Sequence, residues 1–315
     1  ARKREDIVAL TAAMLGPTGL DKFQAEFPSR TIDVGIAEQH ATASAAGMAF
    51  AGLHPVVAVY STFLNRAFDQ LLLDVALHGA GVTFVLDRAG VTGDDGPSHH
   101  GIWDLAVAGI VPTLQIGAPR DGTRLRELLN EAVNINDRPT LIRFPKGAVV
   151  ADLPAFERRD GIDVLYRGES ADILIVSVGA MAAICVEAAA QAYREGVGVT
   201  VVDPLWVKPL PSALLTMAQR YSAVVVVEDG IRHSGIGSSV AEMFRDAGLN
   251  IPVHSIGVPL TFIEHAKRGE ILNDLGITAQ RIARSLVELR STGELGFMEE
   301  MQRHVDGNAD QSQPR

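Results

Sequence analysis

A glutamate stands where a short predicted strand meets an alanine-rich predicted helix. Residues 31–34 are a short β-branched run that ends at Gly35, which predicts a strand, and residues 37–52 are rich in Ala and lack Pro, which predicts a buried helix. Glu38 therefore lies in the first turn of this helix, just past a strand end, where open α/β sheets place their ligands. An acid among apolar neighbours is costly to bury alone, so Glu38 is a candidate for binding a ligand. The alternative is a helix-start acid that the helix dipole favours.

Further polar and aromatic side chains follow the other predicted strand ends of the first half. The carboxyl ends of parallel strands meet at one edge of a sheet, so these residues can converge with Glu38 on one crevice. One acid, two aromatic rings, a histidine and three cations suit a flat heteroaromatic ligand beside a phosphorylated substrate. The residues are Tyr60, Phe63 and Arg66 after one strand, Arg88 after the next, Asp95 and His99 in the loop beyond it, and Lys146 after the last strand.

Each of these residues, taken singly, also has an ordinary structural explanation. The convergence of these residues on one sheet edge favours a ligand site over a separate structural explanation for each residue. The explanations are core packing for Tyr60 and Phe63, an ion pair with Asp87 or Asp94 for Arg88, and a plain loop position for His99 or His100.

Strands alternate with helices along the first half, and this alternation predicts a mostly parallel sheet with helices on both faces. One of these helices is predicted to run from a cap at Ser61 or Thr62 to about His78. Charge rises and periodicity fades after residue 145, and a second alternation then begins. The predicted fold class is therefore α/β, with two tandem α/β domains. The predicted boundaries are residues 1–147 for the first domain, 148–170 for a linker with some local structure, 171–290 for the second domain and 291–315 for a disordered tail.

Composition and charge narrow the class of protein. With 47% hydrophobic and 21% charged residues the chain is typical of soluble globular proteins, and its longest apolar runs are too short to span a bilayer. A net charge of −10 without a basic tract argues against a nucleic-acid partner, so a local basic cluster must hold any anionic substrate. The single cysteine, Cys185, lies in an apolar helix and is expected to fill the core. It excludes an internal disulfide and suits a reducing compartment, so we expect a cytoplasmic protein without a membrane partner.

Longer motifs run through both predicted domains in a distinctive order. This set resembles the deoxyxylulose-phosphate synthases, a branch of the transketolase-like, thiamine diphosphate-dependent family, from about residue 5 to about residue 289. The resemblance implies a pyrimidine-binding domain followed by a transketolase C-terminal domain. The motifs are DVGIAEQHA (33–41), YSTFLNRAFDQ (60–70), DRAGVTGDDG (87–96), SHHG (98–101) and RFPKG (143–147) in the first domain, and VVDPLWVKPL (201–210) and VVEDGIRHSGIGSSV (226–240) in the second.

The resemblance implies a role for each candidate residue. Glu38 would be the cofactor-activating acid, hydrogen-bonded to a ring nitrogen of the cofactor's aminopyrimidine, with Phe63 stacked on that ring and Tyr60 beside it. His99 would be the second catalytic residue, for proton transfer or for polarising a carbonyl group. The residues that would line the substrate pocket are Tyr60, Arg66, Arg88, Asp95, His99 and Lys146.

The resemblance also implies a transferase reaction. Pyruvate and glyceraldehyde 3-phosphate would condense to 1-deoxy-D-xylulose 5-phosphate with loss of carbon dioxide, which supplies isoprenoid and thiamine precursors. Arg88 and Lys146 would hold the phosphate of the aldehyde. The resemblance leads us to expect arginine at position 146 in many relatives, and lysine keeps the charge but loses the bidentate fork.

The family's signature for binding the cofactor diphosphate through Mg²⁺ is missing from this sequence. That signature is Gly-Asp-Gly with a distal Asn, and the sequence contains no Gly-Asp-Gly. Asp94 and Asp95 belong to a matched motif instead, so no metal ligand is assigned. We therefore expect a fragment or one subunit of a split enzyme, inactive alone, that forms a homodimer, a complex with a chain carrying the missing domain, or both.

Two other interpretations of the sequence stay open. The chain could be the β-type subunit of another thiamine diphosphate enzyme, a split transketolase or a 2-oxoacid dehydrogenase. It could also be a non-catalytic partner subunit, although the joint presence of Glu38, Phe63, Arg88 and His99 speaks against this.

Overall fold

The computed structural model describes residues 1–296. Short apolar and β-branched runs form its strands, several of them buried along their whole length. The strands are β1 (Ile7–Thr11), β2 (Thr31–Asp33), β3 (His54–Tyr60), β4 (Thr83–Asp87), β5 (Gln115–Gly117), β6 (Thr140–Arg143), β7 (Glu157–Arg159), β8 (Ile162–Arg167), β9 (Ile173–Ser177), β10 (Val199–Asp203), β11 (Trp206–Lys208), β12 (Ala223–Ile231) and β13 (Val253–Val258).

Helices connect most of these strands. The helix caps follow local chemistry: the Asp121 side chain accepts the Arg124 N–H at 2.8 Å, and Gly293, at φ +78°, ends the last helix. The α-helices are α1 (Asp21–Glu26), α2 (Glu38–Phe50), α3 (Phe68–Gln70), α4 (Asp104–Gly109), α5 (Gly122–Ala132), α6 (Ala182–Arg194), α7 (Ala213–Ala218), α8 (Ile236–Asp246), α9 (Arg268–Asp274) and α10 (Ala279–Thr292). Pro28–Arg30, Ser61–Ala67 and Gly179–Met181 are 3₁₀ helices, and Leu71–Ala76 is a π-helix.

The first sheet carries the candidate residues at one edge. Its strand order is β11-β5-β6-β4-β3-β1-β2, and neighbouring strands are parallel except for β11 against β5. Tyr60 at the end of β3 pairs with Asp87 at the end of β4, and Leu86 pairs with Arg143 at the end of β6. Because this register ends three neighbouring strands almost level, the residues that follow them emerge side by side.

The second sheet has the order β13-β12-β9-β10-β8-β7. The strands from β13 to β10 are parallel, whereas β8 runs antiparallel to β10 and β7 antiparallel to β8. Every residue of β12 is buried, including Glu228 and Asp229. The α/β class with two mostly parallel sheets, predicted from the sequence, is confirmed.

Several local features differ from the sequence predictions. The single helix predicted from position 61 to 78 is wrong in kind, because the segment is a 3₁₀ helix followed by the short α3 and a π-helix. The segment predicted as a linker contributes β7 and β8 to the second sheet, and β11 joins the first sheet although it follows β10 in the chain. Helices α4 and α9 were not predicted. The division into domains remains a prediction.

The segment predicted as a C-terminal tail, residues 291–315, is described only as far as residue 296. Helix α10 continues to Thr292, so the first residues of the predicted tail are helical. The remainder of that tail, from residue 297, lies outside the described residues. Within residues 1–296, no helix combines the length and apolar character that crossing a membrane requires.

A buried ionic network links the two sheets. Arg120 Nη1, in the loop after β5, donates to Asp163 Oδ2 of β8 at 2.7 Å and to Asp203 Oδ2 of β10 at 2.8 Å. Burial raises the pKa of Asp203 to about 6, whereas hydrogen bonds from Arg158 and Arg120 lower the pKa of Asp163 against the effect of burial. These contacts fix the position of the first sheet relative to the second.

Candidate active site

Glu38 is a buried acid at the start of α2, with only 5% of its surface exposed. Within the described part of the chain, its carboxylate makes an ion pair only with Arg66, whose Nη1 lies 3.7 Å from Glu38 Oε2. The Arg66 side chain is mostly exposed, so solvent screens this pair. A buried carboxylate with such a loose partner keeps its capacity to accept a hydrogen bond from a ligand.

Tyr60, Phe63 and Arg66 lie on one side of the 3₁₀ helix that follows β3. β3 ends at Tyr60 and the 3₁₀ helix begins at the next residue. With about three residues per turn, side chains at positions i and i+3 lie above one another. The α-helix predicted from the sequence would rotate each successive member of this trio by about 60°. The 3₁₀ geometry therefore aligns the two rings and the cation.

Aromatic contacts connect residues at the ends of two neighbouring strands, β3 and β4, and in the loop that follows β4. The rings of Tyr60 and Phe63 are parallel within 9°, with centroids 5.7 Å apart, and His99 meets Phe63 edge to face at 5.5 Å. The Arg88 guanidinium lies 4.0 Å from the centre of the Tyr60 ring. His99 Nδ1 is 2.9 Å from Ser98 Oγ. The cluster offers flat surfaces for stacking and a histidine beside them.

Arg88 also makes the ion pair with Asp87 that was the structural explanation for this residue in the sequence. Its Nη1 donates to Asp87 Oδ2 at 2.7 Å and to the Pro17 carbonyl at 3.1 Å, and its main-chain N–H donates to Asp87 Oδ1 at 2.6 Å. Arg88 adopts φ +60°, a conformation in which side chains are rare and which costs free energy. Burial raises the pKa of Asp87 although Arg88 opposes the shift. The contacts with Asp87 therefore hold the cation in place over Tyr60.

Lys146 and Asp95 form the second cationic contact of the site. Lys146 Nζ donates to Asp95 Oδ2 at 2.7 Å, and both side chains are about one-third exposed. The hydrogen bond from Lys146 lowers the pKa of Asp95 against the effect of burial. The structure thus brings Asp95 and Lys146 together near Arg88 and His99, whereas Arg66 contacts only Glu38 among the described site residues.

A buried triad beside this edge escaped the sequence analysis. Arg143 Nε donates to Asp104 Oδ2 and its Nη1 to Asp229 Oδ1, both at 2.7 Å, and all three side chains are almost fully buried. Burial raises the pKa of Asp104, whereas the charge of Arg143 lowers that of Asp229 against the effect of burial. Charged residues inside apolar runs, such as Arg143 in TLIR and Asp229 in VVVVED, were the available signal.

The chemistry of this site matches one half of a two-part ligand. A buried acceptor at Glu38 beside two parallel rings fits a hydrogen-bonding heteroaromatic ring such as an aminopyrimidine. The partly exposed cations Arg88 and Lys146 fit a phosphate on a second molecule. In the described range 1–296, no group of three or more His, Cys, Asp or Glu side chains is arranged to bind a metal ion.

Sequence comparisons match two parts of the chain to known domain families. Residues 1–150 match the family model for the transketolase pyrimidine-binding domain, and residues 163–282 match that for the transketolase C-terminal domain. The 1-deoxy-D-xylulose-5-phosphate synthase of Leifsonia xyli subsp. xyli is 58% identical over 288 residues, which are 91% of this chain and 44% of the relative. That of Mycolicibacterium gilvum is 57% identical over 91% of this chain and 45% of the relative. The chain therefore spans less than half the length of these relatives.

Solved structures share the fold of this chain. A split-gene transketolase, described as an inactive β4 tetramer, superimposes with a TM-score of 0.81 at 29% identity, covering 92% of this chain and 94% of the other. A transketolase from Campylobacter jejuni, with a TM-score of 0.76 at 18% identity, covers 91% of this chain and 44% of the other, and shows the shared fold. The chain belongs to the transketolase family and comprises its pyrimidine-binding and C-terminal domains.

Proposed function

We propose that this chain is the pyrimidine-binding and C-terminal part of a 1-deoxy-D-xylulose-5-phosphate synthase. The complete enzyme would condense pyruvate with glyceraldehyde 3-phosphate and release carbon dioxide. The observation that carries the proposal is the Glu38 carboxylate, buried at a strand-to-helix junction, whose loose partner Arg66 lies on the same 3₁₀ helix as Phe63 of the Tyr60–Phe63–His99 cluster. The high identity to synthases of this class supports the choice of reaction.

Glu38, Phe63 and Tyr60 would hold the aminopyrimidine of thiamine diphosphate. The Glu38 carboxylate would accept a hydrogen bond from the ring, Phe63 would stack on it, and Tyr60 would lie alongside. The bound cofactor would supply the carbon nucleophile that this reaction requires. Burial of Glu38 keeps water from competing for its hydrogen bond, so the contact with the ring is stronger than it would be in solvent.

The remaining site residues would bind and orient the substrates. Arg88 and Lys146 would hold the aldehyde's phosphate from two sides, and Asp95 would keep Lys146 in place through their ion pair. His99, at the exposed end of the aromatic cluster, would transfer a proton or polarise a substrate carbonyl. Arg66 would line the pocket next to Glu38.

The partner of this site would be a chain or domain that binds the cofactor's diphosphate through Mg²⁺. The split-gene transketolase, which this chain covers to 94%, is described as inactive in its β4 form, and this supports the expectation that this chain is inactive alone. Self-association, as a homodimer, and location in the cytoplasm remain predictions from the sequence.

The test is reconstitution with a diphosphate-binding domain from a related synthase, in the presence of thiamine diphosphate and Mg²⁺. We expect formation of 1-deoxy-D-xylulose 5-phosphate from pyruvate and glyceraldehyde 3-phosphate. A parallel assay with a ketose phosphate as donor tests the second candidate, a split transketolase subunit, which the matched length and fold of that neighbour favour. Turnover of the ketose donor without turnover of pyruvate would overturn the proposal.

A further inference from the structure

The loop that carries Asp95 and His99 packs against a distant segment of the chain. We call residues 90–101 the Asp95 loop and residues 262–268, which follow β13 and end at the first residue of α9, the clamp segment. Gly93 adopts φ +100°, and a Cβ atom there would come within 2.8 Å of the Arg268 main-chain nitrogen and 3.1 Å of the Ala266 carbonyl oxygen. The two backbones therefore touch at a position that accepts only glycine.

Arg268 bridges the Asp95 loop to the second sheet. Its Nη1 donates to the Val91 carbonyl at 2.5 Å, and its Nη2 lies 3.5 Å from Asp229 Oδ2 in β12. Asp229 also accepts a hydrogen bond from Arg143 at the end of β6. The start of the loop is thus held by a network of charged side chains to which both sheets contribute.

His100 joins the two ends of the loop through Thr92 and lies beside the clamp segment. It is 1% exposed, and the Thr92 main-chain N–H donates to its Nδ1 at 3.0 Å. Since an N–H can only donate, Nδ1 is the acceptor and the ring proton sits on Nε2. Burial lowers the pKa of His100, and the main-chain carbonyls of Glu264 and Ile263, near the ring, oppose that shift.

We propose that the clamp segment positions the Asp95 loop, with His100 and Arg268 as the positioning residues. Neither side chain touches the cluster around Phe63 in the described contacts; each acts by fixing the backbone from which Asp95 and His99 project. The segment that follows β13 of the second sheet would thereby set the geometry of the substrate pocket. This proposal rests on the proposed function for the statement that the loop binds substrate.

The first test uses the chain itself and measures amide hydrogen exchange across residues 92–101. His100→Leu removes the acceptor for Thr92, and we expect exchange there to rise about tenfold, as for the loss of one buried hydrogen bond. His100→Asn should restore most of the protection, because its Oδ1 can take the place of Nδ1. His233→Leu, at an exposed position, is the matched control. Unchanged exchange in His100→Leu, or equal exchange in the Leu and Asn variants, would overturn the proposal.

Arg268→Ala provides an independent variant if His100→Leu does not fold. It should raise exchange at positions 91–93 without altering that of α10, and Arg284→Ala, an exposed arginine on α10, is its control. Equal exchange at 91–93 in both arginine variants would contradict the clamp.

The second test uses the reconstituted enzyme. His100→Leu should raise KM for glyceraldehyde 3-phosphate more than KM for pyruvate, and His100→Asn should reverse the change. If the unmodified assembly makes no product, the proposed function fails while the exchange experiment still decides the clamp. Increased exchange without any change in either KM would show that the loop does not position substrate.

Discussion

Arg88 is held by an ion pair with Asp87 and by a cation–π contact with Tyr60, so its side chain is fixed before any substrate arrives. Such a preorganised cation loses little conformational freedom when it binds a phosphate. The chain is acidic overall, so attraction of an anionic substrate depends on local cations of this kind.

Arg88→Ala tests phosphate recognition. Loss of one charge-assisted contact should cost about 1.5–3 kcal/mol, or roughly tenfold to a hundredfold in apparent affinity. Steady-state kinetics of the reconstituted enzyme should show this loss in KM for glyceraldehyde 3-phosphate, with KM for pyruvate largely spared. Arg284→Ala is the control. Equal effects on both substrates would identify Arg88 as a structural partner of Asp87.

Lys146→Arg tests the geometry of the second cation. Arginine restores two parallel donors, so one can keep Asp95 while the other contacts phosphate. We expect KM for the phosphorylated aldehyde to stay unchanged or to fall. A clear increase, measured beside Arg88→Ala in the same assay, would mean that the compact ammonium group is required at this position.

Glu38→Ala tests the acid at the cofactor ring. The carboxylate would act on the ligand more than on packing, so the reconstituted variant should lose most activity while its thermal unfolding remains close to that of the wild type. Glu242→Ala, at an exposed position on α8, is the control. Near-normal turnover in Glu38→Ala would show that Glu38 serves only as an acid at the start of a helix.

At the scale of elements, the junction of β12 and α8 contains a second buried acid. Glu228 accepts the main-chain N–H groups of Ile236 and Gly237, each at 3.0 Å, at the start of α8. Burial raises the pKa of Glu228 to about 7 from its ordinary value of 4.5, although these two hydrogen bonds oppose the shift. The hydrogen bonds of this acid are to the start of α8, so it bears on stability.

The pKa of Glu228 predicts a pH dependence of stability. Between pH 4.5 and about 7 the folded chain retains a proton that the unfolded chain has released, so the free energy of unfolding falls as pH rises through this window. The contribution is on the order of 3 kcal/mol. Denaturant unfolding at pH 5 and pH 8 should therefore differ less in Glu228→Gln than in the wild type. Glu242→Gln should leave that difference unchanged, and equal differences in all three proteins would contradict the prediction.

At the scale of the whole molecule, the chain contains the acid and rings that we propose bind a pyrimidine but, among its described residues, no cluster that could bind a metal ion. The diphosphate group carries much of the charge by which a protein can recognise thiamine diphosphate. Isothermal titration of the isolated chain with thiamine diphosphate and Mg²⁺ should therefore show weak binding. Binding tighter than about 1 µM would place the diphosphate site within this chain. The same titration of the reconstituted assembly is the control.

The sequence by itself determined the alternation of strands and helices and which polar residues follow the main strands of the first sheet. Alternation of short apolar runs with helical segments predicted the α/β class, and Glu38, Tyr60, Arg88 and Lys146 were found because each follows a predicted strand. These signals are local: a strand, its end and the next few residues are encoded by neighbours in the chain.

Only the tertiary structure decided which of these residues touch and what holds them. Arg143 and Asp229 are 86 positions apart, and Arg268 reaches back 177 positions to Val91. The transfer of β11 to the first sheet and the 3₁₀ winding below Tyr60 likewise depend on packing that no short window of sequence contains. Periodicity records which face of an element is buried, whereas a contact between distant segments is selected by the free energy of the whole fold.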